Sequence, residues 1–175
     1  AYTANLAAAG HAAEAERVSR SILETYRDAQ VRSSALTTLA DVTGGEQLLP
    51  DLVRYYLSDE PGGQFGGTAL HLASKVEGSQ ATAALVSALD SAPASHQARL
   101  LYALGDREDS QLIETVAQRL GSTNPAVSAA AAEALFRLGG ENQLQTVMRS
   151  LLQAESGEKV APVRAAGTAL TAAVW

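Results

Sequence analysis

The stretch NPAVSAAAAEALFRLGGENQLQTVMRSLL, residues 124–152, decides the fold because it contains a complete helical hairpin. In its first half, apolar residues recur at helical spacing from Val127 through Ala131 to Leu138. They form one stripe along a helix, and a second apolar stripe follows over residues 144–152. The stretch therefore predicts two helices joined by a short turn.

Both ends of the first of these helices carry the expected signals. Asn124 is a favourable N-cap, and Pro125 suits the first helical position, where no backbone N–H is needed. Gly139 and Gly140 end the helix and turn the chain, because glycine adopts positive φ at little steric cost. An alanine-rich helix cannot bury its stripe alone, so we expect it to stack on neighbouring hairpins.

The same pattern recurs along the chain of 175 residues. An apolar residue precedes each predicted turn, at successive intervals of 34, 28, 34 and 36 residues. These residues are Val42, Val76, Leu104, Leu138 and Val174. Such periods fit a helix–turn–helix unit stacked on itself, so the sequence predicts an all-α chain of about five helical-hairpin repeats.

The repeats are predicted to form a single domain. We expect full repeats at about 29–60, 61–90, 91–121 and 122–157, and partial repeats at 1–28 and 158–175. Because both ends stop inside a repeat, we expect the domain to be part of a larger protein. Repeat ends without polar caps leave apolar surface, which keeps a homodimer open as a hypothesis.

Two local features are also predicted. A helix is expected from about Ala12 to Asp28, with Val18, Ile22 and Leu23 facing inward. Pro50 is expected in the first turn of the second helix of its repeat, where a missing N–H is tolerated.

The first helices carry a further motif. The pairs Val31–Arg32 and Val163–Arg164 occupy equivalent positions, whereas Ser128 replaces the arginine in the repeat of residues 124–152. The repeat of residues 124–152 resembles a HEAT repeat of the short bacterial type, also found in phycobilisome-lyase-like proteins, and the two Val–Arg pairs match the first helix of that pattern. The resemblance covers nearly the whole chain and implies a right-handed α–α superhelix, a HEAT-like solenoid.

Composition limits the classes of function. The chain has 13 basic and 19 acidic residues, a net charge of -6 that works against a phosphate-tracking groove and a nucleic-acid partner. It has no cysteine, which excludes disulfides and thiolate metal sites. No apolar run approaches a membrane span of about 20 residues, and the N-terminus has no basic region of a signal peptide. We expect a soluble protein, either cytoplasmic or exported from a bacterium.

Candidate ligand sites are weak. The segment EPGGQFGG, residues 60–67, lacks the following Gly-Lys-Ser/Thr and the preceding strand of a P-loop. We therefore interpret it as a flexible loop between repeats whose glycines run into the next helix. His11, His71 and His96 have no helical histidine partner, and we expect them in turns or on helix surfaces. The sequence therefore predicts no metal site and no cofactor.

No catalytic constellation is evident either. No serine lies in a G-x-S-x-G elbow, and acidic pairs such as Asp59–Glu60 lie in predicted turns, where solvated loop charge explains them. We predict no catalytic residue, and the sequence favours a protein that is not an enzyme.

The second helices offer a candidate surface. In HEAT-like stacks they line the concave face, so the resemblance implies that their polar columns contact a partner. Aromatic and arginine side chains are frequent anchors of protein interfaces. The candidate partner-binding residues are Asp51, Arg54, Tyr55, Thr115, Gln118, Arg119 and Arg149. The alternative is an ordinary solvated helix face.

Three functions follow as hypotheses. The leading one is a non-catalytic scaffold that binds a protein or peptide through the concave face of the solenoid. The resemblance also implies a phycobilin-lyase-like enzyme or enzyme subunit as an alternative. A HEAT-like DNA glycosylase is a further alternative, although an acidic chain with only two lysines disfavours it.

Overall fold

The computed structural model describes residues 2–107 and 109–139, together with Gln145 and Val147. Every regular element in this part of the chain is helical, so the all-α prediction is confirmed there. Neighbouring helices pack on one another, as in a HEAT-like solenoid. The α-helices are α1 (Tyr2–Ala8), α2 (Ala12–Thr25), α3 (Ala29–Thr43), α4 (Gly45–Ser58), α5 (Gln64–Lys75), α6 (Ser79–Ser91), α7 (Ala94–Gly105), α8 (Ile113–Ala117) and α9 (Pro125–Gly139).

The chain divides into two compact units, with the boundary between Leu85 and Val86, inside α6. In the N-terminal unit, α3 packs on α1, α2, α4 and α5, and α4 also packs on α5. In the C-terminal unit, α9 packs on α7 and α8. The repeat limits and the single-domain organisation stay predictions.

Hydroxyl pairs join the first helices of successive repeats in the N-terminal unit. The Oγ1 atoms of Thr3 on α1 and Thr38 on α3 lie 3.2 Å apart, and these residues are separated by 35 positions. Thr68 Oγ1 on α5 donates to Ser33 Oγ on α3 at 3.2 Å, across the same separation. Thr3, Thr38 and Ser33 are buried, so each needs a partner for its hydroxyl. One repeat length therefore separates residues that touch.

Helix α2 ends earlier than predicted. It stops at Thr25, because Asp28 has extended backbone (φ -63, ψ 122) and serves as the N-cap of α3. The Asp28 carboxylate accepts a hydrogen bond from the Val31 backbone N–H at 2.9 Å, which satisfies an N–H that α3 itself leaves unpaired. A residue that caps the next helix cannot continue the previous one.

The inward face of α2 also differs from the prediction. Leu23 is buried as expected, whereas Val18 and Ile22 are only half-buried. Ala15 and Ser19 are completely buried instead. The helix is rotated so that its small residues, spaced at four positions, lie against the rest of the unit and allow close packing.

Pro50 lies deeper in its helix than predicted. Gly44 has a φ of 83 and reverses the chain by itself, so α4 begins immediately at Gly45. Pro50 therefore lies in the second turn and inside the helix, not in its first turn. Because proline has no N–H, the carbonyl of Glu46 loses its usual i+4 donor.

Helices α7 and α9 approach closely because small residues face each other. A Cβ added to Gly105 of α7 would lie 2.9 Å from the Ala134 Cα and 3.0 Å from its Cβ. Four alanines of α9 have no exposed surface: Ala130, Ala131, Ala132 and Ala134. The alanine-rich stretch of α9 is thus a contact surface for α7, where larger side chains would separate the two helices.

We predict that Gly105→Ala lowers the free energy of unfolding. Alanine is favoured over glycine inside a helix by about 1 kcal/mol, but here the added methyl group collides with α9, so a net loss of about 1–3 kcal/mol is expected. Gly121→Ala is the control, because no atom lies within 4 Å of the added Cβ, and it should stay within about 0.5 kcal/mol of wild type. Urea denaturation followed by circular dichroism measures both. A stabilised Gly105→Ala variant would contradict the close approach.

We also predict that Asn124→Ala destabilises the C-terminal unit. Asn124 Oδ1 accepts hydrogen bonds from the backbone N–H groups of Ala126 at 2.9 Å and Val127 at 3.4 Å. Loss of this cap is expected to cost about 1 kcal/mol in urea denaturation. Asn5→Ala is the matched control, since Asn5 is exposed within α1 and should gain slightly from alanine. Equal effects of the two substitutions would argue against the cap.

Candidate partner-binding surfaces

Helix α4 places two of the candidate residues side by side on its exposed face. Arg54 Nη2 donates to Asp51 Oδ1 at 2.6 Å, in an i, i+3 pair. Both side chains are solvent-exposed. Such a surface pair adds little to stability, so it leaves both groups available to a partner.

Tyr55, the third candidate on α4, lies over a buried aromatic ring. Its centroid is 5.2 Å from that of Phe65 on α5, with an angle of 55° between the ring planes. Phe65 is only 2% exposed, whereas Tyr55 is half-buried. The Arg54 guanidinium in turn lies 5.1 Å from the Tyr55 centroid. Tyr55 is thus held in place by its contact with the buried Phe65 ring and remains partly accessible to solvent.

Sequence reasoning missed a fourth member of this site. The Cζ atom of Arg32 on α3 lies 3.7 Å from the centroid of Phe65, within the range of a cation–π contact. In the sequence, Arg32 stands out only as part of a repeat motif, yet it precedes Phe65 by about one repeat, a separation that could have indicated the contact. We call Arg32, Arg54, Tyr55 and Phe65 the arginine–aromatic cluster.

The candidates of the C-terminal unit lie differently from those on α4. Thr115 is half-buried on α8, which ends at Ala117. After this end, the Arg119 backbone N–H donates to the Val116 carbonyl at 3.0 Å, an i→i-3 bond that forms a tight turn. Gln118 is exposed at the end of the helix, and Arg119 lies in the turn that follows. Arg149 lies outside the described residues.

Arg119 already forms an ion pair within its own unit. Its Nη2 donates to Asp90 Oδ1 on α6 at 2.5 Å, and its side chain is 27% exposed. Of the three described candidates in the C-terminal unit, Gln118 is therefore the most accessible.

A charged network on α7 and α9 was not predicted from the sequence. Arg137 Nη2 donates to Glu133 Oε1 at 2.7 Å, and Arg137 also pairs with Asp106. Burial raises the pKa of Tyr102 above its ordinary value, and the neighbouring Glu133 carboxylate raises it further, only partly offset by Arg137. These side chains link the two helices where they approach most closely.

We predict that Glu133→Gln lowers the pKa of Tyr102 but leaves it above the ordinary value of about 10, because burial remains. In wild type the folded state holds this proton more tightly than the unfolded state, so stability falls as pH rises through the Tyr102 pKa. NMR titration of 13Cζ-labelled tyrosine, assigned with Tyr102→Phe, measures the shift. Glu114→Gln on α8 serves as the control, and an equal shift there would contradict a local effect of Glu133.

The glycine-rich segment before α5 is organised around a carboxylate. Asp59 Oδ2 accepts a hydrogen bond from the Gly66 backbone N–H at 2.6 Å. A Cβ on Gly63 would lie 2.3 Å from the same oxygen, so glycine is required for this approach. The protein's own carboxylate thus takes the position at the helix N-terminus where a phosphate would bind in a P-loop.

One histidine differs from its predicted position. His96 is 5% exposed on α7, with Nδ1 3.2 Å from Ser95 Oγ, because its side of the first turn faces inward, whereas Ala94 and Ser95 are exposed. His11 and His71 are exposed, in a turn and on α5. Within residues 2–107 and 109–139, no group of three or more histidine or acidic side chains could hold a metal ion. No helix in the same part of the chain is long and apolar enough to cross a membrane.

An apolar patch lies at the start of the N-terminal unit. Val31, expected on the inward stripe of α3, is 38% exposed, and Tyr2 and Tyr26 are also exposed. With Ile22 these side chains line a cavity of about 300 Å3. The α3 stripe is thus buried at Ala35 but reaches solvent at the first turn of the helix.

Comparison with protein families identifies the repeat. A family model for HEAT repeats matches residues 82–170, just over half of the chain. It describes HEAT repeats in general and does not single out the phycobilisome-lyase-like group. No curated protein matches the sequence. The family match agrees with the helical hairpins and their spacing, and the chain belongs to the HEAT-repeat family.

Proposed function

We propose that this protein is a non-catalytic scaffold that binds a protein or peptide partner through the exposed faces of its second helices. HEAT repeats are helical scaffolds that commonly mediate protein interactions. The observation that carries the proposal is the arginine–aromatic cluster on the surface of the N-terminal unit. Tyrosine and arginine are enriched among the residues that dominate binding energy at interfaces.

The packing of the cluster favours binding. Tyr55 rests on Phe65, and Phe65 is held between α3 and α4, so the aromatic surface is ordered before a partner arrives. Binding to an ordered surface loses less side-chain entropy than binding to a mobile one. Arg54 and Asp51 extend this surface with one donor group and one acceptor group.

In the C-terminal unit, Thr115, Gln118, Arg119 and Arg149 remain the proposed contact residues. Gln118 is exposed and offers both a donor and an acceptor. A net charge of -6 supports a protein or peptide partner over nucleic acid. A homodimer stays part of the proposal, with the patch of Tyr2, Tyr26 and Val31 as its apolar contact surface.

We predict that the double variant Arg54→Ala/Tyr55→Ala binds the partner at least about tenfold more weakly than wild type, since it removes two anchor side chains at once. The partner is identified by affinity capture from the native host, purified and measured by isothermal titration calorimetry. The helical circular dichroism spectrum should be retained.

The matched control is Glu14→Ala/Arg17→Ala, which removes another exposed i, i+3 ion pair, on α2. It should leave the affinity unchanged. Unchanged binding by the α4 variant, or an equal loss in the control, would refute the proposed surface.

A further inference from the structure

Arg32 has an unusual position for a cation. Its guanidinium carries five N–H donors, yet within the described residues it makes no hydrogen bond and no ion pair, and its Nε has no solvent contact. Its one interaction there is with the face of Phe65. A half-buried cation without a counter-charge is unfavourable, because desolvation is not balanced by an opposite charge. A ligand with a negative group would supply that charge.

Several other arginines in the described part of the chain do have carboxylate partners. Arg20, Arg54 and Arg137 each donate to an acidic side chain of their own unit. At the position equivalent to Arg32 in the repeat of α9, Ser128 donates to the Leu120 carbonyl at 2.8 Å. The side chain at this position thus has a polar partner within the protein in the repeat of α9, whereas the Arg32 guanidinium has none within the described residues.

The two arginines of the cluster differ in their ion pairing. The cluster contains two guanidinium groups, and the carboxylate of Asp51 pairs with only one of them, Arg54. A second carboxylate, from outside, would balance the other. Tyr55, which is half-buried and lies on Phe65, offers an apolar surface for the methylene groups that carry such a carboxylate.

We propose that the arginine–aromatic cluster is a carboxylate-recognition subsite, in which Arg32 binds an aspartate or glutamate side chain of an extended peptide segment of the partner. The planar guanidinium can hold both oxygens of one carboxylate, and Tyr55 packs against the neighbouring part of the segment. A single carboxylate suits this site better than a phosphate or a polyanion, because the net charge of -6 repels multiply charged ligands. This inference rests on the proposed function and names the chemistry of the partner.

Peptide selection tests the subsite even while the partner protein is unidentified. A random peptide library displayed on phage is selected on the wild-type chain, and the peptides recovered are synthesised and measured by fluorescence polarisation. We expect an acidic residue at one fixed position. Its replacement by the corresponding amide should weaken binding by about tenfold or more, and Arg32→Gln should do the same to the acidic peptide.

The losses of binding free energy caused by the amide peptide and by Arg32→Gln should not add. In a double-mutant cycle, Arg32→Gln should have little further effect on the amide peptide, because the two groups contact each other. Arg27→Gln, which removes an equally positive but exposed side chain, should change affinity less than about twofold. Arg32→Lys keeps the charge over Phe65, and with it the packing, but should recover only part of the affinity.

The outcomes separate the two proposals. Peptides that bind without a required acidic residue, or losses that add in the cycle, overturn the carboxylate subsite and leave the interaction function standing. Failure to select any peptide also overturns the subsite, and the interaction function is then judged by the capture and calorimetry of the α4 variant. The amide substitution is made in the peptide, so this readout holds even where Arg32→Gln unfolds the chain.

Discussion

The structure depends on how closely one first helix can approach the next. Gly105 presents no Cβ to Ala134, and the buried alanines of α9 keep the surface around this contact flat. A single helix of this composition cannot bury its apolar stripe by itself. Its stability therefore comes from contact with the helices of neighbouring repeats. The alanine content is therefore a requirement of the packing between repeats.

Repeat spacing also builds the candidate site. Residues about one repeat apart, such as Thr3 and Thr38, meet across neighbouring first helices, and Arg32 meets Phe65 in the same way. The second helix α4 then brings Tyr55 onto the same ring. The site is thus a product of the stacking, since no single repeat contains all of its side chains.

In the described part of the chain, the sequence predicted the helices and most turns, because apolar periodicity and glycines such as Gly44 and Gly78 are local signals. The helices predicted over residues 144–152 and from Val163 onward lie outside the described residues. The prediction was wrong about the end of α2, the depth of Pro50 and the burial of His96. Each of these depends on a backbone cap, or on the rotation of a helix against its neighbours, and periodicity along one helix does not determine either. The sequence named Arg54 and Tyr55 as contact residues, which stays a prediction, but it missed Arg32, whose role depends on a ring in the following repeat.

The hydroxyl pairs between first helices bear on how the array can change in length. Thr3 with Thr38 and Ser33 with Thr68 join chemically equivalent groups, and a hydroxyl can donate or accept. A duplicated hairpin would bring a matching hydroxyl to each new junction. Insertion of a second copy of the α3–α4 hairpin during evolution would therefore leave no unmatched hydroxyl at the new junction, so the array can lengthen there while the contacts at each boundary stay the same.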